Sequence, residues 1–481
     1  MKRRSFLRSA GWSLFATALP APASEGKRPN VLFILADDLG IGGLHCYGND
    51  WVETPHLDRL CSRGMKFVNG LAAYPTCKPS RAAILTGQYG PRTGVYRVCD
   101  SYGNEDKARL KIPRNGVLDP KKPSIGKVFK QAGYATAMYG KWHVSNERKT
   151  HPSEYFGFDE AFVSHGGHYR VESLPPVEKP DDVMMERIYT EKAKAFMERS
   201  VKGGTPFFLF MPYYLIHAPF EARPDYVERF RKKLKGVNLF RKGKKDPMET
   251  LPVVLAMTKM LDDFVGELLA KLDALGVAEN TVVLFTSDNG SYDRNLVGGY
   301  RGRKGDTYDG GMRVPYFFRW PGKIAAGSVC QERIIGVDVY PTLLGLSGVP
   351  KPPPSLHPLD GEDLTPLLLG KREKLPPRAV YCFYPKYAQF REKSGKWQFS
   401  WRNVVYDGDW KLIEYPEYGE YELFDLTNDP KETENLAAKR PERRETMTHK
   451  LHDWLKRIGA PPPESNPGCT LQDRVRRETG E

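Results

Sequence analysis

The chain reads as an α/β protein. The prediction is a large, mixed, mostly parallel sheet sandwiched by helices, with a smaller C-terminal α+β subdomain built on an antiparallel sheet. Three observations predict it. First, short runs that are apolar at every position alternate with helical patterns up to about residue 350. Such runs suit strands covered on both faces, as in parallel sheets. Second, four of these runs lead at once into polar residues, and open parallel sheets bind ligands outside the carboxyl ends of their strands. Third, beyond about residue 350 a proline-rich stretch gives way to closely spaced short strand patterns, which suit an antiparallel sheet.

The elements follow in order. Asn30 to Ala36 is a strand leading into Asp37-Asp38, and the helix Pro55 to Arg63 closes on Gly64. Pro79 suits the first turn of a helix from Ser80 to Gln88, ended near Gly90-Pro91. Cys77 then sits just ahead of that helix, where unpaired N–H groups favour an anion. The helix Pro123 to Ala132 closes on Gly133, and the strand Tyr134 to Tyr139 leads into Lys141-Trp142-His143. A helix over Met185 to Arg199 precedes the strand Phe207 to Tyr213, which leads to His217. A long helix from Thr250 to Leu275 closes on Gly276, and the strand Thr281 to Thr286 leads into Asp288-Asn289. After the proline-rich Lys351 to Pro377, strands are expected at Ala379 to Tyr384, Trp397 to Val405, Trp410 to Glu414 and Glu422 to Asp425. A last helix covers Pro441 to Ile458, and little fixed structure is expected beyond Pro461. The expected divisions are therefore an N-terminal segment 1–23, a main domain 27–370, a subdomain 371–460 and a tail 461–481.

The 481 residues carry a formal charge of +14. Lys2-Arg3-Arg4-Ser5-Phe6-Leu7, the apolar run Ala10 to Leu19 and Ala21-Pro22-Ala23 read as a twin-arginine-like export signal. The expected location is periplasmic or extracellular. Losing that segment removes four cations, and the positive balance that remains suits a polyanionic substrate. Runs such as Arg231-Lys232-Lys233 read equally well as solvated faces. Nothing resembles a nucleic-acid-binding module, and no stretch is long and apolar enough to span a bilayer. Of seven cysteines, six remain once Cys77 is set aside, and their spacing fits no zinc site. Mostly free thiols are expected, with at most one or two bridges.

Asp37, Asp38, Asp288 and Asn289 offer three carboxylates and an amide oxygen at two strand ends. That hard oxygen set suits Ca2+, or Mg2+ if the cage is smaller; zinc would want histidine or thiolate. Arg81 lies one helical turn beyond Cys77 and shares its face. Lys141 and His143 point to one side of an extended chain.

Cys77-Lys78-Pro79-Ser80-Arg81, continued to Thr86-Gly87, reads C-x-P-S-R-x-x-x-x-T-G. It resembles the signature of the type I sulfatases, arylsulfatase-A-like members of the alkaline phosphatase superfamily. Gly140-Lys141-Trp142-His143 resembles their G-K-W-H segment, and His217-Ala218-Pro219 their H-x-P element. Lys304 to Pro315 resembles K-x-x-x-x-E-G-G-x-R-V-P, with Asp309 where glutamate is usual. Glu422 to Pro430 and Glu432 to Leu436 resemble the family's C-terminal subdomain. The resemblance runs from about residue 30 to 436 in the family's order.

It implies an alkaline-phosphatase-like fold and oxidation of Cys77 to Cα-formylglycine by a formylglycine-generating enzyme. The catalytic set would be Cys77, Arg81, Lys141, His143, His217 and Lys304. The modified Cys77 would join Asp37, Asp38, Asp288 and Asn289 around the cation. One hydroxyl of the aldehyde hydrate would attack sulfur, with Asp288 as the nearby carboxylate, giving a covalent sulfo-enzyme. His217 would protonate the leaving alkoxide, and His143 would help the second hydroxyl expel sulfate. Lys141, His217 and Lys304 would hold the sulfate. The substrate expected is a sulfated saccharide of algal or animal matrix polymers, cut at chain ends, with His168, Arg170, His151, His165 and Arg402 as further contacts. The alternative is a phosphonate or phosphate ester hydrolase of the same superfamily. A non-catalytic glycan-binding relative would be expected to have lost Cys77 or an acid, and none is missing.

Overall fold

Strand β1 (Asn30–Ala36) is buried at all seven positions in the computed structural model. Leu32, Ile34 and Ala36 enter one apolar layer, and Val31, Phe33 and Leu35 the other. Period-two alternation inside a wholly apolar run is the mark of a strand with two covered faces. The structure describes residues 27–99, 103, 105–164, 166–240, 246–391 and 394–469. The expected export segment 1–23, His165 and the end of the tail lie outside these.

Eight further strands complete the main sheet: β2 (Met65–Leu71), β3 (Ala135–Gly140), β4 (Glu160–Ser164), β5 (Ser173–Leu174), β6 (Phe207–Pro212), β7 (Thr281–Ser287), β8 (Tyr316–Arg319) and β9 (Ser328–Ile335). Their order is β5-β4-β3-β6-β1-β7-β8-β2-β9. Pairing is parallel except at β4–β5, β7–β8 and β2–β8. One face is covered by the helices Pro55–Ser62, Met185–Lys202, Pro224–Lys233 and Leu251–Ala274. The other is covered by Cys77–Thr86, Ile125–Gln131 and Val339–Leu346. No helix among the described residues is long and apolar enough to cross a membrane.

The C-terminal part holds β10 (Ala379–Tyr384), β11 (Ala388–Arg391), β12 (Lys396–Phe399), β13 (Arg402–Asp407), β14 (Trp410–Tyr415) and β15 (Glu420–Asp425). A four-stranded antiparallel sheet runs β10-β13-β14-β15. The helix Pro441–Arg457 packs on it through Met447, Leu451 and Trp454. A buried ionic cluster ties this sheet to the main one. Asp309 accepts from Lys411 Nζ at 2.8 Å, Tyr406 Oη at 2.9 Å and Arg313 Nε at 2.5 Å. Glu432 accepts from the same Lys411 at 2.5 Å and from the Asp309 backbone N–H at 2.7 Å.

Three expectations change. The helix bearing Cys77 starts at Cys77 itself and stops at Thr86, because Gly87 adopts φ 66° and caps it. Pro79 lies in its first turn, as expected. Trp397 to Val405 is two strands in different sheets, broken at Ser400-Trp401. Residues 461–469 are tied down: Lys111 N–H donates to Glu464 O at 2.8 Å, and Asn466 N–H to Arg109 O at 2.8 Å. All seven cysteines are free thiols.

Candidate active site

The site forms where β1, β3 and β7 end together. β1 and β7 pair in register up to Ala36 and Ser287, so Asp37-Asp38 and Asp288-Asn289 emerge side by side. All four are buried. Asp38 turns with φ 65°, a conformation unusual for any residue but glycine. Its N–H donates to Asp288 Oδ1 at 3.2 Å, and Asn289 Nδ2 donates to its Oδ1 at 2.8 Å. Asn289 Oδ1 is buried without a hydrogen-bond partner.

The Cys77–Thr86 helix enters from the side. Cys77 Sγ lies 3.3 Å from Asp37 Oδ1 and 3.7 Å from Asp38 Oδ1. One turn on, Arg81 donates from Nε to Asp288 Oδ2 at 2.7 Å and from Nη1 to the Lys141 carbonyl at 2.8 Å. Its other nitrogen is 3.5 Å from Asp37 Oδ2. The carboxylates touching Cys77 are thus Asp37 and Asp38, while Asp288 is taken up by Arg81.

Two lysines close the cage. Lys141 Nζ lies 2.5 Å from Asp37 Oδ2, and Lys304 Nζ lies 2.7 Å from Asp38 Oδ2. Lys141 reaches its place because Gly140, at φ 136°, lets β3 press against β6; a Cβ there would lie 2.1 Å from Pro212 O. Lys304 is held by its N–H donating to Ser291 O and by the Gly305 N–H donating to Pro75 O, both at 2.8 Å. His217 Nε2 faces Asp38 Oδ2 at 3.8 Å while Nδ1 lies 2.6 Å from Ala218 O. Tyr214 stacks on the His217 ring at 4.9 Å and lies under Lys141 at the same distance. His143 is half-buried on the β3 loop with φ 63°, its N–H donating to Glu147 at 2.9 Å.

Charge balance follows from burial. Burial would raise the Asp37 carboxyl, but Lys141, His217, Arg81 and Lys304 hold it well below the usual range. Burial and then Asp37 push Asp288 up to about 7, against Arg81. Burial and then Asp37 push the Cys77 thiol well up, so it stays protonated. Burial lowers His217, opposed by Asp37 and Asp38. Burial would lower Lys304, but Asp38 outweighs it and raises the ammonium well above its ordinary value.

The expected sugar contacts fare differently. His168 is fully buried, with Nδ1 on Glu186 at 2.7 Å and Nε2 on the His217 carbonyl at 2.9 Å. It positions the His217 loop from behind rather than facing a ligand. Arg170 is exposed and paired with Asp181 at 3.3 Å. Arg402 is buried, 3.4 Å from Asp306. His151 bonds Ser153 at 2.8 Å. Sequence reasoning missed Tyr214, Glu186 and Lys386. Lys386 is nearly buried near Gly305, and burial followed by Lys304 pushes its ammonium down to about 8.

Asp37, Asp38, Cys77 and His217 offer ligand atoms within 4.8 Å of one another. The two carboxylates, with the orphaned Asn289 oxygen buried in the same strand-end cluster, are the oxygen donors that fit a hard cation.

This fold and this cluster of acids and cations at the strand ends define an alkaline-phosphatase-like ester hydrolase. The chain belongs to the sulfatase family, and is a sulfuric ester hydrolase: the Sulfatase family model matches residues 29–349. A second model, N-sulphoglucosamine sulphohydrolase, C-terminal, matches 303–460. N-acetylgalactosamine-6-sulfatase of Canis lupus familiaris is 31% identical over 75% of this chain and 70% of its own length. A sulfatase of Formosa agariphila is 28% identical over 90% of both. The crystal structure of PsFucS1 sulfatase from Pseudoalteromonas sp. superposes with a TM-score of 0.67 at 26% identity, covering 91% of this chain and 93% of that one.

Proposed function

We propose that this sulfatase releases sulfate from sulfated saccharides, using Cys77 converted to formylglycine and a bound Ca2+, outside the cytoplasm. The observation that carries the reading is the placement of Cys77. It opens a helix, is buried, and sits within reach of two aspartates flanked by Lys141, Lys304 and Arg81. A carbohydrate substrate is supported by likeness to the N-acetylgalactosamine-6-sulfatase and by the chain's charge of +14.

Lys141 and Lys304 approach the cage through different aspartates, so between them they present two ammonium groups to the oxygens of one sulfate. Arg81 locks Asp288 and Asp37 and keeps their charges from repelling. As the imidazolium, His217 donates Nδ1–H to Ala218 O and turns Nε2–H inward, where it hands that proton to the leaving alkoxide and is left neutral. Asp37, Asp38, Asp288 and Asn289 would hold the Ca2+, or Mg2+, which would supply Lewis-acid polarisation of a sulfate oxygen. The hydrated aldehyde supplies two hydroxyls on one carbon, so attack on sulfur and expulsion of sulfate use different oxygens.

The test is sulfate release from a panel of sulfated mono- and oligosaccharides, an aryl sulfate and an aryl phosphonate. The protein is co-expressed with a formylglycine-generating enzyme and mass-verified at Cys77. Release from a saccharide supports the reading; turnover of the phosphonate alone replaces it with the phosphonate hydrolase. Retention of export after lysine replaces both Arg3 and Arg4 would remove the twin-arginine part.

A further inference from the structure

Beside the site lies an open depression of about 200 Å³ that none of the catalytic assignments uses. Phe220, Phe240, Glu249, Tyr292, Arg294 and Arg303 line it. Three of these are continuous with the catalytic loops: Phe220 follows His217 by three residues, Tyr292 follows Asn289 by three, and Arg303 precedes Lys304. The Lys304 N–H to Ser291 O bond joins two of those loops directly.

The lining is unusual for a water-facing surface. Tyr292 is 52% exposed and Phe240 is 47% exposed, although both are large aromatics. Neither ring is loose. The Phe240 N–H donates to Asn295 Oδ1 at 2.7 Å, and the Arg294 guanidinium lies 5.2 Å from its ring. The Arg303 guanidinium lies 4.7 Å from the Tyr292 ring. Stacking leaves the guanidinium edges open to an anion, and arginine is the residue that combines both contacts. Among the described residues neither Arg294 nor Arg303 pairs with a carboxylate, whereas Arg313, Arg378 and Arg402 all do. Three acids share the lining: Asp293 accepts from the Asn295 N–H at 2.8 Å, Asp246 from the Met248 N–H at 3.0 Å, and Glu249 is left to accept from a ligand.

We propose that this depression is a second saccharide subsite, seating the sugar ring next to the one that loses its sulfate. Phe240 and Tyr292 offer apolar faces to the ring's C–H side. Arg294 and Arg303 take an anionic substituent on that ring, a sulfate or a carboxylate. Glu249 accepts from a ring hydroxyl. The proposal rests on the sulfatase reading and adds that the preferred substrate is an oligosaccharide charged at the neighbouring ring.

The experiment compares the formylglycine-bearing enzyme with its F240A and R294A variants on four substrates. These are a 6-sulfated monosaccharide, a tetrasaccharide with neutral neighbours, a carrageenan tetrasaccharide with sulfated neighbours, and a chondroitin sulfate tetrasaccharide with carboxylate neighbours. In the wild type an anionic neighbour is expected to raise kcat/KM about ten- to a hundredfold through KM, the worth of one charged hydrogen bond. R294A is expected to erase most of that ratio, R294K to recover part of it, and F240A to lower it for all tetrasaccharides. Whichever anionic arm shows the gain identifies the substituent. An unchanged tetrasaccharide-to-monosaccharide ratio in both variants overturns the proposal. If no substrate releases sulfate, the sulfatase reading has failed, and calorimetric binding of the two charged tetrasaccharides still decides the subsite. Weaker binding by R294A sustains it, and equal binding overturns it.

Discussion

In the proposed reaction Lys141 and Lys304 both clamp the sulfate, yet they depend on different scaffolds. Lys141 rides on β3, and Lys304 on a loop pinned to Ser291 and Pro75. Each ammonium meets one aspartate of an adjacent pair, so removing either leaves a buried carboxylate less compensated and one sulfate oxygen without its partner. Lys304→Ala is therefore expected to lower kcat/KM about 10²- to 10³-fold in steady-state kinetics, the usual loss of one preorganised charge donor. Asn289 carries a separate prediction, because its oxygen is buried and unsatisfied. Asn289→Ala is expected to weaken Ca2+ binding at least about 10- to 100-fold by calorimetry. Loss of its Nδ2 bond to Asp38 is expected to lower the thermal transition of the chelated protein as well. Cys77→Ser offers one hydroxyl where the hydrate offers two. Intact-mass analysis is expected to show it gaining one sulfuryl group and then stalling; sustained turnover would contradict the two-hydroxyl mechanism.

At the scale of elements, the bend that ends β3 is the most exposed to test. Gly140→Ala puts a methyl group where Pro212 O already lies and forces φ 136° on a residue with a Cβ. A cost of about 1–3 kcal/mol is expected for such backbone strain. The Lys141 N–H to Pro212 O bond goes with it, so kcat should fall alongside the melting temperature. This glycine also shows what the sequence made legible. Wholly apolar runs ending in charged residues located β1, β3, β6 and β7, and hence the four clusters that meet. Strands β2 and β9 escaped notice because they are partly exposed and read as mixed polar segments such as Met65-Lys66-Phe67-Val68-Asn69. The start of the Cys77 helix was placed late, at Ser80; Pro79 does lie in the first turn, as expected, but that turn begins at Cys77. His168 looked like a ligand contact because a histidine in a glycine-rich loop carries no sign of its buried partner Glu186, eighteen residues on. Lys386 was beyond reach altogether, since its neighbour Lys304 belongs to a distant stretch of chain.

Across the whole molecule, the two sheets meet at one shared cation. Lys411 serves both Asp309 and Glu432, and all three are buried. Asp309 heads the short helix Asp309–Met312, five residues beyond Lys304, so the cluster anchors the loop that carries a catalytic lysine. Asp309 has Arg313 as well as Lys411, whereas Glu432 has only its share of Lys411 among the described ion pairs. Burial would raise Asp309, but Lys411 and Arg313 prevail and hold it well below the ordinary range. Glu432 loses the contest: burial first, then Asp309, push it up to about 7 against Lys411. The consequences have opposite signs. Asp309 adds stability above its unfolded pKa, and that stability is lost as pH falls through its folded value. Glu432 holds its proton in the folded state after the unfolded chain has released it, so its contribution declines as pH rises from the ordinary glutamate value of 4.5 toward about 7. Asp288 and Asp262, also pushed up to about 7, decline over the same window. Urea unfolding at about pH 5 and about pH 7 is expected to show Glu432→Gln losing about 2 kcal/mol less than the wild type, with the remaining decline kept. Lys411→Met should be far worse, about 3–5 kcal/mol, because it removes the cation that Asp309 and Glu432 share and leaves Arg313, on Asp309, to face two buried carboxylates. If Lys411→Met and Glu432→Gln together recover part of that loss and part of the sulfate-releasing rate, the cluster holds the Lys304 loop through charge. If the double variant is no better than the single one, packing of Lys411 rather than its charge joins the two sheets.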